Sequence, residues 1–192
     1  MQVSNMNDTY NVKIAGFGGQ GVMMVGQLLA YAATELDLYA LWYPSYGPET
    51  RGGTANCSVI VSKKQINSPV FSKATHLIAF NQPSLTKFVS NVKNDGLILY
   101  NSSLINQPNP IENIKMVGVP ANEIALELGN IQVANMVIMG AYLALTQIFS
   151  VEIIEKMLKK FLGEKKAHLF DINHDAIQRG IEFVQNKGDI HA

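Results

Sequence analysis

Two stretches of this sequence combine a shaped backbone with groups that could hold a ligand. The first is Ser45-Tyr46-Gly47-Pro48-Glu49-Thr50-Arg51-Gly52-Gly53-Thr54, between two runs expected as strands. Its glycines reach positive φ cheaply and its proline fixes φ, so the backbone shape is specified. Arg51 can present a rigid guanidinium fork to an anion there, with Glu49 two residues away. The same composition also suits a plain surface loop with turn glycines and solvated charges.

The second stretch, Gly16-Phe17-Gly18-Gly19-Gln20-Gly21, follows a short β-prone run and precedes an apolar helical pattern. It satisfies G-x-G-x-x-G in the context that the dinucleotide fingerprint demands. The acidic residue required at the end of the second strand is missing. Trp42-Tyr43-Pro44 stands there, and Asp37 comes before the strand. Neither a ribose clamp for NAD nor an arginine for NADP is therefore present at that point. The turn keeps the capacity to hold a phosphate or carboxylate on backbone N–H groups at a helix N-terminus. Alternatively, its glycines only let helix and sheet pack closely. Gln20 adds an amide that can both donate and accept. Val22 stands where a P-loop would carry lysine.

Other catalytic constellations are thin. His76, His168, His174 and His191 are scattered, without metal-site spacing, and are expected at the surface or at strand ends. His168 and His174 flank Asp171, but no nucleophile accompanies them. Cys57 lies mid-strand on an apolar face, where a buried structural thiol is expected. One cysteine excludes an internal disulfide and cannot ligate an iron–sulfur cluster or a structural zinc alone. That usage suits a reducing cytoplasm.

The elements that must position these residues alternate. Residues 1–9 are expected as a disordered leader, and 10–188 as a single three-layer α/β/α domain. Its central sheet is parallel or mixed, and its start is Rossmann-like. Strands are expected at Tyr10–Ala15, Tyr39–Tyr43, Thr54–Val61, His76–Phe80, Gly96–Tyr100 and Lys115–Val119, with a weak edge strand at Ile66–Phe71. In Thr54–Val61 the polar residues Thr54, Asn56 and Ser58 share a face at the loop end, so Asn56 is a candidate to line what the loop encloses. Helices are expected at Val22–Leu36, after Asn81 with Pro83 in the first turn, and at Ala121–Leu128. Ile131–Phe149 is read as one long buried helix. Gln132, Asn135 and Gln147 interrupt it too often for a membrane span. Ser150 caps another helix, with Val151, Ile154, Leu158 and Phe161 as its apolar face. Asn173 opens the last, with Ile177, Ile181 and Val184 on one side. No basic region followed by an apolar core opens the sequence, so no signal peptide is read.

With 192 residues, 47% of them hydrophobic and only 16% charged, the chain is apolar for its size. A sizeable subunit interface is expected, and a homodimer of the isolated chain is compatible with it. A formal net charge of zero gives no electrostatic case for nucleic acid.

Taken together, Ile14–Gly21 and Tyr43–Cys57 resemble the γ subunit of 2-oxoacid:ferredoxin oxidoreductases. The likeness extends through Ser68-Pro69, the His76–Asn81 strand and the Asn135–Leu143 helix. Ser45-Tyr46-Gly47 and Gly52-Gly53-Thr54-Ala55-Asn56 are more similar to the 2-oxoglutarate type than to the pyruvate type. Thr50 departs from that pattern, which expects a bulky residue such as methionine, and leaves pyruvate or branched-chain 2-oxoacids open. The resemblance implies CoA-dependent oxidative decarboxylation with ferredoxin as electron acceptor. Thiamine diphosphate with Mg and iron–sulfur clusters would then belong to partner α and β subunits, with a ferredoxin-like δ subunit where one is present. This chain would carry no catalytic residue and no metal of its own. It would close over the active site and help to receive CoA. Gly16, Gly18, Gly19, Gln20, Gly21, Ser45, Tyr46, Gly47, Glu49, Arg51, Gly52, Gly53 and Asn56 are the candidates for that contact or for a partner's surface. The competing expectations are a stand-alone α/β module that binds a nucleotide or acyl-CoA, and a complete Rossmann oxidoreductase.

Overall fold

The computed structural model describes residues 8–46 and 54–189, and every structural statement below concerns those residues. β1 (Thr9–Phe17) lies inside a six-stranded sheet of order β2-β3-β1-β4-β5-β6. β2 (Tyr39–Tyr46) and β3 (Thr54–Ser62) form a hairpin, and β3 inserts antiparallel between β2 and β1. β4 (Ala74–Ala79), β5 (Val92–Asn101) and β6 (Ile114–Val119) continue parallel to β1 on its other side. The sheet is therefore mixed, with β3 alone reversed. The register Phe17↔Thr54 and Tyr46↔Ala55 brings the ends of β1 and β2 to one rim of the sheet.

Burial on both faces explains why the central strands are apolar runs rather than alternating ones. One face carries α1 (Val22–Glu35), α3 (Ala121–Glu127), α4 (Ala134–Thr146), α5 (Val151–Leu162) and α6 (Phe170–Asp189) over a large core that includes Val12, Ile14, Cys57, Ile78 and Leu99. The opposite face has a thin layer: α2 (Gln82–Phe88) and loop residues such as Ile105 and Ile111, packed on Leu77, Ile98 and Tyr100. Consecutive strand residues, Ile98 and Leu99 for instance, thus serve different cores.

Several elements depart from expectation for local reasons. Asp8 bonds Lys64 and Thr9 starts β1, so these two residues of the expected 1–9 leader belong to the fold, and 1–7 lie outside the described residues. Residues 66–71 form no strand. Pro69 has no N–H to give a ladder, and the segment runs across the thin face of the sheet instead. Ile131–Phe149 is not one helix. A 3-10 turn, Ile131–Val133, precedes α4, and Gln147 ends it in the left-handed region at φ 50°. Thr146 Oγ1 contributes to that stop by donating to Tyr142 O at 2.7 Å and accepting from Ile148 N. Ser150 holds the N-cap position of α5 without a capping hydrogen bond. Phe161 stays 40% exposed, while Met157 and Leu162 are buried in the apolar face. Helix α6 starts at Phe170, one turn earlier than Asn173. There Asn173 Nδ2 donates back to Leu169 O at 2.6 Å. Among the described residues no helix is long and apolar enough to cross a membrane.

Two glycines set the tightest helix contact. A Cβ on Gly140 of α4 would lie 1.9 Å from Ile177 O, and one on Gly180 of α6 would lie 2.1 Å from Val137 O. The helices cross backbone to backbone, reciprocally, with no side chain free to yield. We expect Gly140→Ala to lower stability by ~3 kcal/mol, because main-chain atoms rather than rotamers must move. Urea unfolding of the variant against the parent measures it, and a midpoint within experimental scatter would refute the crossing.

Candidate functional site: a carboxamide-lined crevice

The turn after β1 is shaped by one side chain. Gln20 Oε1 accepts from the Phe17 backbone N–H at 2.7 Å and from Asn81 Nδ2 at 2.9 Å. Asn81 in turn caps α2, its Oδ1 accepting from Ser84 N at 3.0 Å. A single carbonyl oxygen therefore joins the β1–α1 turn to the β4–α2 turn. Since α1 and α2 leave to opposite faces of the sheet, these turns flank the point where helix direction switches. Open α/β sheets place ligands there, beyond the carboxyl ends of their strands.

The glycines of the fingerprint have separate causes. At Gly16 a Cβ would come within 2.7 Å of Gln20 Oε1 and 2.9 Å of Phe80 Cβ, so the residue is small to admit the bridge. Gly19 and Gly21 adopt φ of 94° and 76°, a region that favours glycine. Gly21 also faces Asn135, whose Nδ2 would be 2.2 Å from a Cβ. Gly18 is exposed and has open space around it, with φ outside the left-handed region. Packing accounts for Gly16 and Gly21, backbone conformation for Gly19, and neither for Gly18.

Beside this turn a crevice of about 160 Å³ opens between Gly19 and Gln20, Phe80, Asn101, Asn122 and the start of α4. Its walls carry the carboxamides of Gln20, Asn101, Asn122, Gln132 and Asn135, and no charged side chain lines it. Asn101 is itself fixed. Its Oδ1 accepts from Ser103 N and Ala121 N, and its Nδ2 donates to Asn122 Oδ1 at 3.0 Å. Asn135 is only 4% exposed, and its Nδ2 has just a long contact to Met24 Sδ at 3.6 Å. Such walls recognise neutral groups that carry both a donor and an acceptor. They lack the cation that would compensate a phosphate.

The predicted residues distribute unevenly around this crevice. Gly19 and Gln20 line it, while Gly16 and Gly21 support it from behind. Ser45 and Tyr46 belong to β2 rather than to a loop, paired with Asn56 and Ala55. Asn56 is a buried strand residue at 6% exposure. Gly47, Glu49, Arg51, Gly52 and Gly53 lie outside the described residues. The amides of Asn101, Asn122 and Gln132 were not anticipated. Asn135 could have been, since a carboxamide inside an apolar helix needs a reason to be there.

The remaining titratable candidates are structural. Cys57 is fully buried, donates to Val22 O at 3.7 Å, and burial pushes its thiol up to about 12. A lone inert thiol does not fit a cluster ligand, and no step through iron–sulfur or zinc chemistry is derived for this chain. His174 bonds Glu155 across α5 and α6 at 2.6 Å instead of forming a dyad with Asp171. His76, expected at the surface or at a strand end, is half-buried in β4. Its Nδ1 lies 2.7 Å from the hydroxyl of Tyr142, and Tyr10 packs on its ring. Burial holds its pKa down at about 4.

A match to the pyruvate ferredoxin/flavodoxin oxidoreductase family covers residues 11–183. Ketoisovalerate oxidoreductase subunit VorA of Methanothermobacter marburgensis is 39% identical over 91% of this chain, which spans only 36% of that protein's length. The 2-oxoglutarate synthase subunit KorC of the same organism is 33% identical, over 88% of this chain and 97% of KorC. The crystal structure of a keto/oxoacid ferredoxin oxidoreductase γ subunit from Geobacter sulfurreducens superposes with a TM-score of 0.78. That chain is 31% identical over 92% of this one and 99% of its own length. A 2-oxoglutarate:ferredoxin oxidoreductase from Magnetococcus marinus, at 21% identity, shares the fold over 94% of this chain and 32% of its own, with a TM-score of 0.86. The chain belongs to the pyruvate ferredoxin/flavodoxin oxidoreductase family.

Gln20→Ala should cost about 1–3 kcal/mol, because the Phe17 N–H and the Asn81 amide both lose their acceptor. Thermal unfolding measures it, and a loss well under that range would mean water replaces the bridge. His76 makes a pH prediction. In the fold it is neutral down to about pH 4, whereas the unfolded chain takes a proton below its ordinary 6.5. Its contribution is therefore present above pH 6.5 and lost as pH falls toward 4, by ~3 kcal/mol at most. His76→Gln should flatten that part of the stability profile, and an unchanged slope would contradict the assignment.

Proposed function

We propose that this chain is the γ component of a multi-subunit 2-oxoacid:ferredoxin oxidoreductase, and that its crevice receives the amide-bearing arm of CoA. The observation that carries the assignment is the neutral, carboxamide-lined crevice at the carboxyl ends of β1, β4 and β5, in a chain of this family. Its accessible amides, Gln132 and in part Gln20 and Asn122, match a pantetheine chain, whose own amides donate and accept. The phosphates of CoA would be met elsewhere, by Arg51 and the N–H groups of Gly52 and Gly53, with Glu49 orienting the guanidinium. The described ends of β2 and β3 support this arrangement, since they leave from the same rim of the sheet as the Gly16–Gly21 turn. Thiamine diphosphate and iron–sulfur clusters, held by partner α and β subunits, would supply the carbanion and electron chemistry. This chain would bind, orient and exclude water.

For the 2-oxoacid, 2-oxoglutarate is favoured by the Ser45-Tyr46-Gly47 and Gly52–Asn56 pattern and by the likeness to KorC. A branched 2-oxoacid is the second reading, on the strength of the 39% identity to VorA. Viologen reduction by the co-purified native complex, with 2-oxoglutarate, 3-methyl-2-oxobutanoate and pyruvate in turn, decides between them. Absence of CoA-dependent activity with all three would overturn the function.

Gly18 allows a clean mutational test, because its environment leaves room for a methyl group. Gly18→Ala should leave the melting temperature unchanged or slightly raised. It should raise KM for CoA, with kcat retained, if a ligand approaches the turn's backbone. Arg51→Ala should raise KM for CoA by about tenfold or more, as expected for a lost charge-assisted contact. Parental CoA kinetics in both variants of the intact complex would remove this surface from CoA binding.

A further inference from the structure

The face of the sheet away from α1 holds a second cavity, of about 210 Å³, that the CoA assignment does not use. Its floor is a cross-strand row, Tyr43 on β2, Ser58 on β3 and Lys13 on β1, fixed by the register Tyr43↔Ser58↔Lys13. Its roof is the Pro69–Ser72 segment, and Phe88 closes one end. Lys13 reaches into this space from the middle of the sheet. Nζ donates to Ser58 Oγ at 3.2 Å and sits 4.9 Å from the centre of the Phe88 ring. A second cation, Lys87 Nζ, lies 5.4 Å from the same ring. No carboxylate among the described residues pairs with either lysine. Burial and the nearby Lys87 hold the Lys13 pKa below its ordinary value, as expected for a cation short of compensation.

An ammonium offers three donors, and Ser58 takes one of them. Lys13 lines a cavity whose walls divide into hydroxyls (Tyr43, Ser45, Ser58) and apolar surface (Val70, Phe71, Phe88). Removing a cation from water is costly unless a counter-charge meets it. Lys13 is the charged side chain among the described residues lining the cavity, whereas Lys87 lies outside that lining, so the floor compensates one negative charge and leaves a dianion in excess. The volume is below that of a drug-sized site.

We propose that this cavity is a binding site for a small monocarboxylate carried on a short apolar or aromatic body. The carboxylate bonds Lys13 Nζ and the Ser58 hydroxyl, and the body lies against Phe71, Phe88 and Val70. The site lies on the opposite face of the sheet from α1 and is separate from the carboxamide crevice. Its test does not depend on the γ-subunit assignment.

The test is calorimetric and thermal-shift titration of the purified full-length chain with phenylacetate, with benzylamine and inorganic phosphate as controls. Phenylacetate should bind saturably and raise the melting temperature, and benzylamine should not. Lys13→Arg should keep the response. Lys13→Gln should weaken affinity by at least about tenfold, since one charge-assisted contact is lost. Lack of saturation in the parent chain overturns the proposal, as does an equal response in Lys13→Gln or phosphate binding as tight as phenylacetate. A stability cycle of Lys13→Gln and Glu49→Gln covers pairing within the chain. Additive effects support an open cation, and strong coupling means that Glu49 already neutralises it, which overturns the site.

Discussion

The carbonyl oxygen of Gln20 connects the two turns that border the crevice. It satisfies a backbone N–H in a turn that forms no ladder bond there, and it holds the residue that caps α2. Unpaired polar groups in part-buried turns cost more than a hydrogen bond returns, so this one acceptor stabilises two turns at once. The mouth of the crevice inherits its shape from that bridge. Gly16 is small because the bridge occupies the space of a side chain, and Phe80 packs beneath it. Of the G-x-G-x-x-G pattern, Gly16 is therefore accounted for by the Gln20-centred turn.

The two faces of the sheet divide the work. On the thick face α4 and α6 meet at Gly140 and Gly180, and α1 presses on β2 and β3 at Gly26, where a Cβ would crowd Cys57 and Trp42. Rigid packing of that sort holds Asn135 and α3 in place beside the crevice. On the thin face a short helix and irregular segments leave a half-buried lysine and an open cavity. A layer without long helices has fewer side chains to fill gaps, which is why both the cation and the space persist there.

The donor inventory of the crevice limits what the described residues can do there. The amides at the crevice can orient a neutral chain but cannot stabilise carbanions or carry electrons. The one thiol is buried on α1's backbone and stays protonated at neutral pH.

Local pattern in the sequence determined the order of elements, because period-2 and period-3.6 apolar runs, Asn81 before Pro83, and Pro120 after β6 each act within a few residues. It also determined the inertness of Cys57, set by its place on an apolar strand face. Tertiary structure decided the reversed β3, the extension of β2 through Tyr46, and the path of residues 66–71 across the sheet. Those depend on pairing partners distant in the chain. It also decided that Gln20 looks inward. An amide in a turn reads as exposed until its acceptor's two donors, Phe17 and Asn81, are known to be in reach. The crevice gathers Asn101, Asn122, Gln132 and Asn135 from three separate segments, so no spacing along the chain could announce them. Lys13, one cation in a strand, acquired meaning only when no carboxylate among the described residues proved to pair with it.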